Sequence, residues 1–176
     1  MDSFWGNIFK NRRKEKKSII SILRNIPIFE GLGHRDLNFI EPLLHPREYR
    51  PDEIIFHQGE PGVGMYIIEE GVVKIVYEPT NRVLAELGPG EFFGELALLD
   101  ESPRSAAAIV KTNCKIWGMF QSDLFSLIER NPRLGVKITL QLARIIGERL
   151  KLSNVQVQEL QKQLDTLKKS KAAARK

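Results

Sequence analysis

The stretch Phe93-Gly94-Glu95-Leu96-Ala97-Leu98, followed after five residues by Arg104-Ser105-Ala106, is the most informative part of this 176-residue chain. The run from Glu95 to Leu99 predicts a short helix, whose first backbone N–H groups and positive dipole end attract an anion. Arg104 adds a planar guanidinium that can bond two phosphate oxygens. Each such charge-assisted bond contributes about 1.5–3 kcal/mol. The stretch therefore predicts a phosphate site.

Glu95 has a different use in the same loop. A carboxylate repels a phosphate, but it accepts a hydrogen bond from a neighbouring ribose hydroxyl. The alternative is a structural ion pair between Glu95 and Arg104 across the loop. Taken together, the two charged residues beside Gly94 favour a site for a cyclic ribonucleotide.

The residues around this stretch predict a β-rich domain. Between Glu48 and Trp117 the chain shows short apolar runs separated by turns that contain glycine, which is typical of a sandwich or a roll. The predicted strands are Ile54–Phe56, Met65–Ile68, Val72–Tyr77, Val83–Leu87, Ala106–Val110 and Lys115–Met119.

Helical periodicity is found before and after the predicted strands in the sequence. Helices are predicted from Ser18 to about Asn25 and from Asp36 to Leu44. After the strands, Leu124 to Ile128 form a further helical segment, which Asn131-Pro132 interrupts. Proline suits the first turn of a helix, so a last helix is predicted from Pro132 to about Lys169.

The far end of the last predicted helix carries a heptad stripe. Its members step by 3, 4, 3, 4 and 3 residues, and they are Leu150, Ser153, Val157, Leu160, Leu164 and Leu167. This pattern favours a parallel homodimer through a short coiled coil. Only about two and a half heptads are present, so the coil would be marginal by itself. The alternative is an amphipathic helix that folds onto its own domain.

The central motifs resemble those of the cyclic nucleotide-binding domain family. Phe93-Gly94-Glu95 followed by Pro103-Arg104-Ser105-Ala106 is similar to the phosphate-binding cassette of that family. Gly59-Glu60-Pro61-Gly62, with Met65 to Ile68 and Gly71 behind it, resembles the block that precedes the cassette. The resemblance covers roughly Leu23 to Leu150.

The resemblance implies a fold and an order of segments. The fold class is α+β: an antiparallel, jelly-roll-like β-roll flanked by N-terminal helices and a long C-terminal helix that ends in a short coiled coil. The expected segments are a basic amphipathic stretch over 1–18, the nucleotide-binding domain over 19–150, the coiled coil over 151–169 and a basic tail over 170–176.

The resemblance also implies a ligand and the residues that contact it. The ligand is cAMP or cGMP, with no further cofactor, and Ser105 after the arginine favours cAMP. The expected ligand residues are Phe93, Gly94, Glu95, Leu96, Ala97, Arg104, Ser105 and Ala106. The helix after the roll is expected to cover the base through Ile145, Ile146, Arg149 and Leu150. Arg149-Leu150 departs from the threonine-serine pair of catabolite-activator-type members, so Arg149 either stacks on the base or is a solvated charge.

The resemblance further implies a way to transmit ligand binding. Leu98 or Leu99 is expected to repack against Phe125, and the chain is expected to pivot at Asn131-Pro132. The C-terminal helix would then move and signal to a separate effector protein, whose identity the sequence does not indicate.

Composition argues against several other functions. His34, His45 and His57 are scattered and Cys114 has no histidine beside it, so neither a metal site nor an enzymatic nucleophile is predicted. Cys114, in a strand pattern, is expected in the sheet or core. A single cysteine and the lack of a long apolar run favour a cytoplasmic protein.

The net charge of +5 belongs to the two ends. Residues 1–18 hold six basic and two acidic residues, residues 168–176 hold five basic residues and no acid, and the span between them carries −4. A specific DNA site on the folded domain is therefore not expected, although the tail permits weak non-specific contact. No helix-turn-helix pattern follows the last helix.

The first 17 residues suggest an alternative role at a membrane. Phe4, Trp5, Ile8 and Phe9 share one helical face, and the basic residues from Lys10 to Lys17 suit anionic lipid headgroups. A membrane-surface or scaffold adaptor, peripheral at the inner membrane, is therefore the second candidate function. Packing of these aromatic residues on the domain or on a partner is the competing interpretation.

Overall fold

The computed structural model describes residues 19–173, which form two antiparallel sheets with helices before and after them. Short strands broken by turns produce eight strands: β1 His45–Tyr49, β2 Ile54–Phe56, β3 Gly64–Glu70, β4 Val73–Tyr77, β5 Arg82–Leu87, β6 Phe92–Phe93, β7 Ala107–Val110 and β8 Cys114–Phe120. One sheet has the order β1-β8-β3-β6 and the other β2-β7-β4-β5. This architecture confirms the predicted β-roll.

The main core lies between the two sheets. Its buried members are Tyr66, Ile68, Val73, Phe93, Ala108, Val110, Cys114 and Ile116. Successive side chains of a strand face opposite sides, so Met65 and Ile67 lie on the other face of β3, and both are fully buried. The sheet that contains β3 is therefore covered on both faces. Cys114 is a buried sheet residue, as expected, and its Sγ lies 3.4 Å from the Val72 carbonyl oxygen.

The helices begin and end close to the predicted limits, with one correction. Residues 19–23 are helical, α1 is His34–Ile40, α2 is Gln121–Arg130 and α3 is Pro132–Ala173. The predicted helix from Asp36 to Leu44 is wrong at its end, because Glu41–Leu43 form a 3₁₀ turn. Pro42 has no N–H to continue the α-helical bonding, which explains the change.

Two strands were not predicted. β1 pairs only with β8, and its residues are half-buried or exposed, so its sequence lacks an apolar run. β6 has two residues and pairs with Tyr66 and Ile67 of β3. Neither strand has enough apolar residues of its own to be recognised.

The chain divides into two compact units, residues 1–141 and residues 142–176. α3 starts in the first unit, where Asn131 Oδ1 accepts a hydrogen bond from the Leu134 N–H at 3.2 Å and caps the helix. Within the second unit the apolar members of the heptad stripe are 49–62% exposed. The coiled coil remains a prediction. Among the described residues, no helix combines the length and apolarity needed to span a membrane.

Candidate functional site

The cassette begins where β6 ends and the backbone turns at Gly94. Gly94 has a φ of 76°, in the left-handed region that favours glycine. A Cβ there would lie 2.6 Å from Arg104 Nη1 and 3.2 Å from the Gly64 carbonyl oxygen. Both the conformation and the space therefore require glycine at this position.

The predicted helix after Gly94 is a single 3₁₀ turn, Glu95–Leu98, closed by a bond from the Ala97 N–H to the Gly94 carbonyl. One turn aligns few peptide dipoles, and the contribution of the dipole to anion binding stays a prediction. The side chain of Glu95 is buried, with 5% of its surface exposed. This turn thus places a carboxylate inside the domain, beside the residues that surround Arg104.

Arg104 is buried and joins both sequence motifs. Only 7% of its surface is exposed. Its Nη2 donates to the Gly64 carbonyl at 2.7 Å, and its Nη1 donates to the Gly94 carbonyl at 3.2 Å. Its backbone N–H donates to the Glu60 carbonyl, and its carbonyl accepts from the Gly59 N–H. The guanidinium is therefore held by backbone from both motifs.

Two aromatic rings lie against the guanidinium, and a third packs on both of them. Phe56, Tyr66 and Phe93, called here the aromatic platform, have ring centroids 5.5–5.9 Å apart. Arg104 Cζ lies 4.2 Å from the Phe56 centroid and 5.8 Å from that of Tyr66. The sequence interpretation missed Phe56 and Tyr66 as site residues. Nothing in the local sequence links them to Arg104, because they come from other strands.

The electrostatics of Arg104 suit an anion. Burial lowers the pKa of Arg104, while the nearby Tyr66, Glu60 and Glu95 raise it. Among the described residues, no hydrogen-bond partner lies within reach of its buried Nε. An unpartnered buried donor on a cation is costly, and an anionic oxygen removes that cost. The arrangement can therefore hold a phosphate oxygen at the Nε edge.

The other predicted cassette residues differ in exposure. Leu96 and Ser105 are exposed, whereas Phe93, Ala97 and Ala106 are buried. A Cβ on Gly62 would lie 2.7 Å from the Ala97 Cβ, so the Gly59–Gly62 loop packs directly on the turn. The buried side chains shape the loop, and their contribution to a ligand would come from the backbone.

The expected base lid lies in the second unit of the chain. Ile145 and Ile146 are half-buried, and Arg149 and Leu150 are exposed on α3. Their contact with a base stays a prediction.

Beside the Gly59–Gly62 loop, hydrogen bonds join Glu78 to His57 and Gln58, and this group of three residues is called here the clasp. His57 Nδ1 lies 2.8 Å from Glu78 Oε1, and the Gln58 N–H donates to Glu78 Oε2 at 3.0 Å. The Glu78 N–H donates in return to Gln58 Oε1. The hydrogen bond with Glu78 raises the pKa of His57 and lowers the pKa of Glu78, and Glu60 also raises the pKa of His57.

The clasp predicts a pH dependence of stability. The stabilisation that His57 contributes is fully present below its ordinary pKa of 6.5, and it is lost as the pH rises through the raised pKa. The stabilisation that Glu78 contributes is present above its ordinary pKa of 4.5 and is lost as the pH falls through the lowered value. We therefore expect His57→Gln to lower Tm most between pH 4.5 and 6.5, by a small amount because both side chains are exposed.

Thermal unfolding of both proteins across pH 3–9 checks this expectation. Asn38→Gln, at an exposed position of α1, changes no titratable group and is the control, so its difference in Tm should be the same at every pH. Equal effects of His57→Gln at pH 5.5 and pH 9 would contradict the clasp.

The chain is similar to several known proteins. Residues 46–131 match a family model described as the cyclic nucleotide-binding domain. The cyclic AMP receptor protein of Thermus thermophilus is 33% identical over 129 residues, which cover 72% of this chain and 60% of that protein.

Two solved structures are similar as well. The Thermus thermophilus catabolite activator protein matches with a TM-score of 0.68 and 32% identity, over 76% of this chain and 62% of that one. The regulatory domain of Toxoplasma gondii PKA, crystallised with cAMP, matches with a TM-score of 0.60 and 27% identity, over 64% of this chain and 44% of that one.

The chain belongs to the cyclic nucleotide-binding domain family. It spans 60% of the length of the Thermus receptor protein. The relatives carry the names of receptors and kinase regulatory subunits, which are regulatory proteins rather than enzymes.

Proposed function

We propose that this protein is a cyclic nucleotide sensor that binds cAMP in preference to cGMP. The observation that carries the proposal is the buried Arg104, whose Nε has no partner among the described residues while its Nη atoms bond two backbone carbonyls. A cyclic phosphate supplies the anionic oxygens that this edge accepts.

Glu95 completes the proposed recognition. Its buried carboxylate follows Gly94 directly, so a ribose whose phosphate meets Arg104 brings its 2′-hydroxyl to this side of the turn. The hydroxyl donates and the carboxylate accepts. A deoxyribose analogue would lose this bond, and cAMP should therefore bind more tightly than 2′-deoxy-cAMP by about 10-fold.

The preference for cAMP rests on two supports. The exposed Ser105 follows Arg104, in the position where the family resemblance favours adenine nucleotides. The relatives include a receptor named for cyclic AMP and a regulatory domain crystallised with cAMP.

Isothermal titration with cAMP and cGMP tests the function. We expect cAMP to bind with a Kd of about 1 μM or lower, or about −8 kcal/mol. AMP, which carries an open and more highly charged phosphate, is the control and should bind at least 10-fold more weakly. No heat with either cyclic nucleotide would refute the sensor and leave a scaffold as the remaining candidate.

We infer that ligand binding is transmitted through α2. Leu98 is fully buried, whereas Leu99 is 40% exposed and Phe125 on α2 is 51% exposed. Leu99 is thus the residue with freedom to repack against Phe125 when the cassette tightens, and Asn131-Pro132 is the proposed pivot. Hydrogen exchange with and without cAMP checks this step: protection should change between residues 124 and 150, and no change there would contradict it.

We further propose that the second unit forms a homodimer through the heptad stripe. Its exposed apolar members, including Leu160, leave water when two copies pair. Sedimentation should show a concentration-dependent dimer that Leu160→Asp converts to a monomer. Gln158→Asp, off the stripe, is the matched control. A monomer at 100 μM in the unsubstituted protein would contradict the dimer.

The effector that receives the signal is a separate protein in this proposal. The membrane interpretation depends on residues 1–17, which lie outside the described residues. The basic tail lies there in part as well, and no described feature favours either contact.

A further inference from the structure

Arg104 lies against two aromatic rings, Phe56 and Tyr66, that do not belong to the cassette motif. Its Cζ lies 4.2 Å above the centroid of Phe56, close enough for a cation to interact with the face of the ring. Phe56 belongs to β2, in the sheet opposite to the one that holds Tyr66 and Phe93. The ring thus approaches the guanidinium from the second sheet of the roll.

The aromatic platform is rigid because of its place in the core. Tyr66 and Phe93 are cross-strand partners on β3 and β6, and their rings stack at 5.5 Å. Both are buried, and Phe56 packs against the same core cluster. The platform therefore holds its shape without any ligand.

The aromatic platform and the two carbonyls restrict the movement of the Arg104 side chain in different ways. The Gly64 and Gly94 carbonyls hold the Nη atoms, and the Phe56 ring, whose centroid lies 4.2 Å from Cζ, blocks movement of the guanidinium toward that side. Together they leave Nε as the edge without a partner. A long side chain that is ordered before binding loses less entropy when it meets its ligand.

We propose that Phe56 is a positioning residue for Arg104 and sets the affinity of the site for a cyclic phosphate. Its ring orders the guanidinium in the free protein, so that the ligand meets an arginine already in place. The inference rests on the proposed function, because the affinity concerned is that for a cyclic nucleotide.

Titration of the full chain with cAMP tests this role. Phe56→Leu keeps an apolar side chain and removes the π face, and we expect its Kd to rise about 5- to 30-fold. Phe56→Tyr restores the ring and should bring Kd back to within about 3-fold of the original value. Phe29→Leu removes a buried ring far along the chain from the cassette and is the control for general destabilisation. It should leave Kd unchanged even where its Tm falls further than that of Phe56→Leu.

A second measurement needs no ligand. Unfolding of Phe56→Leu, Arg104→Gln and the double variant forms a cycle, and the two substitutions should be non-additive because the residues are in contact. If the unsubstituted protein binds cAMP and Phe56→Leu binds it equally well, the positioning role is overturned while the sensor stands. Additive unfolding energies would also overturn it. If the unsubstituted protein binds neither cyclic nucleotide, both proposals fail.

Discussion

Arg104→Gln is expected to weaken cAMP binding about 100-fold or more. The substitution removes the cationic fork that would make two charge-assisted bonds to the phosphate, each contributing about 1.5–3 kcal/mol. Arg104→Lys keeps the charge but not the planar fork, so a loss of at least about 10-fold is expected for it. Titration calorimetry measures both values.

The same substitution should affect folding far less than binding. Burial lowers the pKa of Arg104, which shows that the folded protein disfavours the charged group. Glutamine relieves that cost, but it loses at least one of the bonds to the Gly64 and Gly94 carbonyls. We expect the free energy of unfolding to change by less than about 2 kcal/mol.

A matched control separates site chemistry from the general loss of a positive charge. Arg130→Gln removes an exposed arginine at the end of α2 and should bind cAMP within about 3-fold of the unsubstituted protein. If Arg104→Gln binds cAMP as tightly as Arg130→Gln does, the assignment of Arg104 as the phosphate ligand is contradicted.

Gly94→Ala is expected to have the second-largest effect, and binding should suffer more than stability. The positive φ at Gly94 strains any other residue by about 1–2 kcal/mol. The added Cβ would lie 2.6 Å from Arg104 Nη1, the far end of a side chain that can move away. Such a movement breaks the bond to the Gly94 carbonyl and misplaces the guanidinium. We expect the affinity for cAMP to fall by at least about 10-fold.

Gly90→Ala is the matched control for this substitution. Gly90 has a similar φ of 84°, but no atom lies within 4 Å of the position its Cβ would take. Gly90→Ala should lose about 1–2 kcal/mol in chemical denaturation from backbone strain, and Gly94→Ala should lose more, because it also loses the bond from Arg104 Nη1. Only Gly94→Ala should lose affinity, and equal affinities would show that the contact with Arg104 has no role in binding.

The candidate site was predictable in its charged residues and not in its surroundings. Gly94, Glu95 and Arg104 lie within one loop, so their spacing alone indicated that they meet. The burial of Arg104 was not predictable, because it follows from the Gly64 carbonyl and the Phe56 ring, both about 40 residues or more away in the chain. The predicted short helix is a single 3₁₀ turn, Glu95–Leu98, because the backbone bonds there join residues three apart.

The strands likewise fall into those that the sequence predicted and those that it did not. β3 and β8 are mostly apolar because most of their residues are buried, and the sequence revealed them. β1 and β6 exist because β8 and β3 offer them backbone partners. An edge strand and a two-residue strand carry too little apolar pattern of their own to be recognised.

The amino-acid sequence by itself indicated six of the eight strands, the helices before and after them, the interruption at Asn131-Pro132 and the grouping of Gly94 and Glu95 with Arg104 in one loop. These features depend on near neighbours in the chain, whose periodicity and turn residues are visible without a fold. Only the tertiary structure decided that Phe56 and Tyr66 lie against Arg104 and that, among the described residues, its Nε has no hydrogen-bond partner. Those contacts join β2 and β3 to Arg104, and the register and packing of two sheets bring such distant residues together.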